Sequence, residues 1–168
     1  MARFSFEAEA HTDVARARDV VWAWMATLPD SLRAFPLIHD AIEIEPERRY
    51  ELVLGPFGIQ SFSMEVRAEM NVTMRAPSEM VFESVSGTGN TDMRVTLQLE
   101  RSGASHTRVA VGLWVSPRAE VPRLVPIGMV AKAARATATL GLEQALAKAK
   151  QTLEASTAAG DSRSRPRS

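Results

Sequence analysis

The stretch FSMEVRAEMNVTMR, residues 62–75, decides the fold class, because its residues alternate between apolar and polar without a break. Apolar side chains stand at every even-numbered position from Phe62 to Met74, and polar ones at every odd-numbered position from Ser63 to Arg75. Side chains of a strand point alternately to its two faces, with a period of two residues. The pattern therefore predicts one long strand that is buried on one face only.

Shorter alternating stretches surround this strand, and residues that favour tight turns separate them. From Ile38 onward the sequence predicts a meander of about six strands, preceded by a strand in which Phe4 and Phe6 share one face. The predicted turns are Pro46–Arg48, Gly55–Gly58, Ala76–Ser78, Gly87–Asn90 and Ser102–Ser105. Short turns place consecutive strands side by side and antiparallel, so we expect an antiparallel sheet.

Helical spacing occurs in two regions. Val21, Trp24, Met25 and Leu28 recur at helical spacing before Pro29, and a second short helix is expected over 31–35. An alanine-rich helix is predicted from about residue 126 to residue 154, and its apolar positions fall into two offset stripes that meet at Gly141. The first stripe is Met129, Ala133, Ala136 and Leu140, and the second is Leu142, Leu146, Ala149 and Leu153. Residues 156–168 have too little apolar surface to fold and are expected to be a disordered tail.

Composition excludes several classes of function. Lys and Arg total 20 and Asp and Glu total 20, so the net charge is zero and no overall field favours nucleic acid as a partner. The chain has no cysteine, which removes thiolate nucleophiles and cysteine-based metal sites. His11, His39 and His106 are too far apart to be paired metal ligands, so we expect no metal and no cofactor. The first residues do not resemble a secretion signal and no apolar segment reaches membrane length, so we expect a cytoplasmic protein without an integral membrane segment.

The order of the predicted elements resembles the START-like superfamily, also called SRPBCC. Phe6–Trp24, with Val20-Val21-Trp22-Ala23 after the first strand, resembles the opening of that superfamily, and the resemblance extends from about Phe4 to Leu153. Three segments resemble the branch that includes a small accessory protein of carbon monoxide dehydrogenase, named the carbon monoxide dehydrogenase branch here: Ser86-Gly87-Thr88-Gly89, Val95-Thr96-Leu97 and Thr107-Arg108-Val109. The resemblance implies an α+β helix-grip fold over residues 1–155, in which a curved antiparallel sheet of about seven strands wraps around a long C-terminal helix.

In this fold the space between the sheet and the last helix is commonly a cavity for an apolar molecule. A sheet curved around one helix is not filled everywhere by side chains, which supports the same expectation. We therefore expect non-catalytic binding of a hydrophobic small molecule or lipid, in a cavity lined by Phe62, Met64, Phe82, Trp114, Met129 and Ala133. Core packing alone would produce the same alternation, so the pattern leaves both interpretations open.

Two other functions stay open at this point. A polyketide cyclase or aromatase, an enzyme class that shares the fold, would need ionisable groups inside the cavity, and the inward positions are almost wholly apolar. No catalytic residue is therefore assigned. The resemblance to the carbon monoxide dehydrogenase branch implies instead an accessory protein with a peripheral membrane or protein partner. Phe35-Pro36-Leu37 departs from that branch, which has a Pro-Gly pair there.

Overall fold

Seven antiparallel strands and three helices make up the described part of the chain. The computed structural model describes the backbone of residues 3–163 and the side chains of residues 3–155. The elements are β1 (Phe6–Val14), α1 (Arg18–Met25), α2 (Asp30–Arg33), β2 (Ile38–Glu45), β3 (Arg49–Ile59), β4 (Phe62–Arg75), β5 (Glu79–Ser84), β6 (Thr91–Gly103), β7 (His106–Pro117) and α3 (Ile127–Arg163). The strands form one sheet in the order β1-β7-β6-β5-β4-β3-β2. The predicted α+β architecture, an antiparallel sheet with a long C-terminal helix, is confirmed.

Strand β4 shows how the sheet divides into a core face and a solvent face. It spans Phe62–Arg75, the full length of the alternating stretch. Val66, Ala68 and Met70 in its middle are buried, and the even-numbered residues at its two ends are partly buried. The odd-numbered side chains are more exposed, so the core lies on one side of the sheet only.

Helix α3 covers this core, but the first half of the helix is rotated relative to the prediction. The buried residues of that half are Val130, Ala134 and Ala138, whereas Met129 is 59% exposed and Leu140 is 56% exposed. The first predicted stripe is therefore wrong, while the second stripe, from Leu142 to Leu153, is buried as predicted. Alanines occur on several faces of this half, so apolar periodicity alone does not distinguish the buried face from its neighbour.

The C-terminal half of α3 is tied to the corner between β1 and α1. The side chain of Arg16 donates a hydrogen bond to the carbonyl oxygen of Leu153, at 3.0 Å. The backbone N–H of Ala15 donates to Oε1 of Glu154, at 2.9 Å, and Nζ of Lys150 is 3.0 Å from the same carboxylate oxygen. These two donors, the backbone N–H first, lower the pKa of Glu154 from the ordinary value of 4.5.

Helix α3 continues beyond the predicted end at residue 154, as far as Arg163. Residues 164–168 lie outside the described part of the chain, and the disorder predicted for 156–168 stays a prediction. None of the helices in the described residues is long and apolar enough to cross a bilayer.

Candidate functional site

An apolar cavity lies between the sheet, the middle of α3 and the segment that contains α1 and α2. The strands β3, β5, β6 and β7 supply one wall and α3 supplies Leu142. The opposite wall comes from the end of α1, from α2 and from the loop that leads into β2. The lining residues are Met25, Leu28, Ser31, Leu32, Phe35, Leu37, Ile38, Leu52, Leu54, Met80, Phe82, Val95, Leu97, Val111, Leu113 and Leu142.

The chemistry of this lining is almost entirely that of hydrocarbon. Ser31 is the one polar residue in the lining, and its hydroxyl donates a hydrogen bond of 2.7 Å to the carbonyl oxygen of Met25. No ionisable side chain lines the cavity in the described residues, and those residues contain no cluster of metal-binding side chains. The cavity therefore recognises molecules by shape and hydrophobicity rather than by charge.

The cavity is small in this closed form. Its open volume is ≈ 40 Å³. Ligand pockets for drug-sized molecules commonly enclose about 300 Å³ or more. The expected gap between sheet and helix is thus present, but the surrounding side chains fill most of it. A larger guest requires one wall to move outward.

The wall formed by residues 26–38, named the lid segment here, meets helix α3 at Gly141. The side chain of Leu37 lies in the notch left by this glycine, since a Cβ atom at Gly141 would overlap Cγ of Leu37. A backbone hydrogen bond of 3.0 Å, from the N–H of Gly55 to the carbonyl oxygen of Leu37, holds the same residue against β3. Leu28, Phe35 and Ile38 are half-buried and form the solvent edge of the lid segment. These contacts at Leu37 keep the cavity closed.

Three of the six residues predicted to line a cavity belong to the core side of the sheet. Phe82 lines the cavity directly. Phe62 is partly buried and makes an edge-to-face contact with Phe4 at a centroid distance of 6.4 Å. Met64 is also partly buried and packs against the core without lining the cavity.

The structure places the other three predicted lining residues away from the cavity. Trp114 is 42% exposed, on the solvent face of β7, and Met129 lies on the exposed side of α3. Ala133 is half-buried on that helix and does not line the cavity. The sequence held a signal for Trp114, because its neighbours Leu113 and Val115 take the buried positions of the alternating pattern.

Comparison with known proteins identifies the architecture. Neither the family models nor the curated proteins give a match to this sequence. A solved structure of a Thermus thermophilus protein superposes with a TM-score of 0.70 at 17% identity, covering 89% of this chain and 98% of that chain. A START superfamily protein from Mycobacterium smegmatis superposes with a TM-score of 0.59 at 19% identity, covering 88% of this chain and 97% of that chain. The chain has the START-like fold. The ZhuI aromatase/cyclase from a Streptomyces species shares this START-like architecture, with a TM-score of 0.60 at 14% identity over 90% of this chain and 94% of that chain.

The START-like fold accounts for the position of the cavity. Seven antiparallel strands bend around α3 in the helix-grip arrangement, and the lid segment covers the part of the sheet that α3 leaves open. The more specific resemblance to the carbon monoxide dehydrogenase branch stays a prediction, because these likenesses concern the fold alone.

Proposed function

We propose that this protein binds a hydrophobic small molecule or lipid in the cavity beneath the lid segment and does not catalyse a reaction. The observation that supports this most directly is the composition of the wall, in which every lining residue except Ser31 is hydrophobic. The cavity connects to solvent along the half-buried edge of the lid segment, where a guest would pass.

The enclosed part of the ligand is expected to be uncharged. Burial of a carboxylate or an ammonium group without a partner costs more free energy than the apolar contacts return. The hydroxyl hydrogen of Ser31 is already donated to the backbone of Met25. A lipid would therefore place an acyl chain inside and keep its polar head group outside, at the edge formed by Leu28, Phe35 and Ile38.

Binding is expected to displace the lid segment. The volume of ≈ 40 Å³ accommodates only a very small apolar group, so the cavity has to grow as the ligand enters. The sheet wall is held by ladder hydrogen bonds on both sides of β5, β6 and β7. The lid segment has no such ladder and includes only the four-residue helix α2, so it is the wall that moves at the lower cost in free energy.

A cyclase or aromatase function has less support than binding. General acid–base catalysis needs an ionisable group within hydrogen-bond reach of the substrate. The described lining contains none, and the two side chains with shifted pKa values, Tyr50 and Glu154, lie outside it. Burial raises the pKa of Tyr50, whose hydroxyl oxygen accepts a hydrogen bond from the backbone N–H of Glu47. Its role is therefore structural.

Fluorescence titration with 1-N-phenylnaphthylamine, an uncharged apolar probe, tests the proposal. We expect saturable binding that a long-chain alcohol displaces. Val95→Leu adds one methylene group to the cavity wall and should weaken binding by about fivefold or more, because overpacking such a site commonly costs about 1–3 kcal/mol. Val72→Leu is the matched control, since Val72 is partly buried in β4 but does not line the cavity.

The comparison of the two leucine variants decides the location of the probe. Equal affinity of both variants for the probe would contradict binding in this cavity. Absence of any displaceable binding by the unchanged protein would overturn the proposed function itself.

A further inference from the structure

A second surface of this protein carries exposed apolar and basic residues that the cavity does not use. It consists of Trp114, Leu124 and Met129 together with Arg123, Lys132 and Arg135, and is named the basic apolar face here. Trp114, Lys132 and Arg135 line one open groove of ≈ 420 Å³, to which Glu7 adds the single acidic side chain. The other three residues lie in the loop before α3 and in the first turn of that helix.

Leu124 is the most exposed large hydrophobic residue of the described chain, with 98% of its surface open to solvent. It lies at the apex of a tight turn that a backbone hydrogen bond of 2.9 Å closes, from the N–H of Val125 to the carbonyl oxygen of Pro122. Val121 is buried and Val125 packs against the core, so both sides of the turn are anchored. Such an apex usually takes Gly, Asn, Asp or Ser. A leucine held there contributes nothing to the core.

The charge around this turn has one sign. Between Val121 and Leu142 the sequence contains Arg123, Lys132 and Arg135 and no acidic residue, although the whole chain is neutral. All three cations are exposed, and none of them forms an ion pair with another described residue. Their charges are therefore available to an anionic partner.

We propose that the basic apolar face binds the surface of an anionic lipid bilayer, with Leu124 and Met129 inserted among the lipids. Exposed aliphatic side chains flanked by cations are the features with which protein segments bind at the membrane interface. Trp114 adds an amphipathic ring of the kind that is enriched at this depth. A second copy of the chain fits less well, because two-fold pairing through this face would bring like charges together.

Co-sedimentation with lipid vesicles tests the proposal independently of the cavity. We expect binding to vesicles of phosphatidylcholine mixed with phosphatidylglycerol, and much weaker binding to phosphatidylcholine alone or at high salt. Leu124→Glu should weaken binding by about tenfold or more, since an inserted leucine loses its burial. Ile44→Glu is the matched control, because Ile44 is an exposed aliphatic residue of β2, outside this face.

Two further variants separate the electrostatic contribution from insertion. Lys132→Glu should weaken binding at least about fivefold, the effect of losing one cation near an anionic bilayer, whereas Lys148→Glu, an exposed position in the distal half of α3, should have a smaller effect. Brominated lipids should quench the fluorescence of the protein, and Trp114→Phe should remove most of that quenching while Trp22 and Trp24 remain.

Several results would overturn this proposal. They are the absence of binding to anionic vesicles, equal binding to neutral and anionic vesicles, and equal loss in the Leu124→Glu and Ile44→Glu variants. Specific binding of this face to an acidic protein in place of vesicles would also overturn it.

Discussion

Replacing Gly141 by alanine tests how the lid segment is held closed. A glycine within a helix usually costs about 1 kcal/mol relative to alanine, so the substitution alone should stabilise α3. A new Cβ atom, however, would overlap the Cγ atom of Leu37 and lie 2.5 and 2.8 Å from its Cδ1 and Cδ2 atoms. Overpacking of this kind costs about 1–3 kcal/mol. The expected net effect is a loss of about 1 kcal/mol of unfolding free energy.

The same substitution should change sign when Leu37 is first replaced by alanine. Leu37→Ala removes all three atoms that the new Cβ would meet, at its own cost of about 2–5 kcal/mol for a buried leucine. In that background Gly141→Ala should stabilise the protein by about 1 kcal/mol, its helix propensity alone. The two residues should therefore show a coupling energy of about 2 kcal/mol in a double-mutant cycle.

Urea denaturation of the four proteins measures this coupling, and titration with 1-N-phenylnaphthylamine shows its effect on the cavity. Displacement of Leu37 loosens the lid segment, so the Gly141→Ala variant should bind the probe more tightly, or faster, than the unchanged protein. An equal effect of Gly141→Ala in the unchanged protein and in the Leu37→Ala variant would refute the argument that this contact closes the cavity.

The remaining predictions concern stability. Gly89→Ala should lose about 3 kcal/mol or more, because its φ of +59° disfavours a side chain and the new Cβ would lie against the carbonyl oxygen of Arg67, whereas Gly87→Ala, with φ of +81° and no atom within 4 Å, should lose only about 1 kcal/mol in the same denaturation assay. The lowered pKa of Glu154 means that its ionised form stabilises the fold above pH 4.5, and that this contribution is lost as the pH falls through the lower folded value. Glu154→Gln should therefore reduce the unfolding free energy near neutral pH, and the difference should shrink at about pH 3; an unchanged difference would contradict this explanation.

The sheet was predictable because its signals are local. The alternation from Phe62 to Met74 and the tight turns between strands specify β4 and its antiparallel neighbours without information from distant residues. The order of predicted elements was then enough to indicate the START-like fold.

The site was only partly predictable, since it depends on contacts between distant residues. Leu32 and Leu37 line the cavity from a short helix and a loop, where no periodicity marks an inward position. The rotation of α3 follows from packing, including that of Leu37 at Gly141, and an alanine-rich sequence does not encode it locally. Met129 was therefore assigned to the cavity, although it lies on the basic apolar face.

Methyl NMR of the protein labelled at its methionine methyl groups tests the central claim most directly. Met25 and Met80 line the cavity, whereas Met74 packs at the end of β4 and Met129 lies on the opposite side of α3 from the core. On titration with 1-N-phenylnaphthylamine, we predict large shifts and nuclear Overhauser contacts to the probe for Met25 and Met80 only. Contacts confined to Met129, with Met25 and Met80 unchanged, would contradict ligand binding beneath the lid segment.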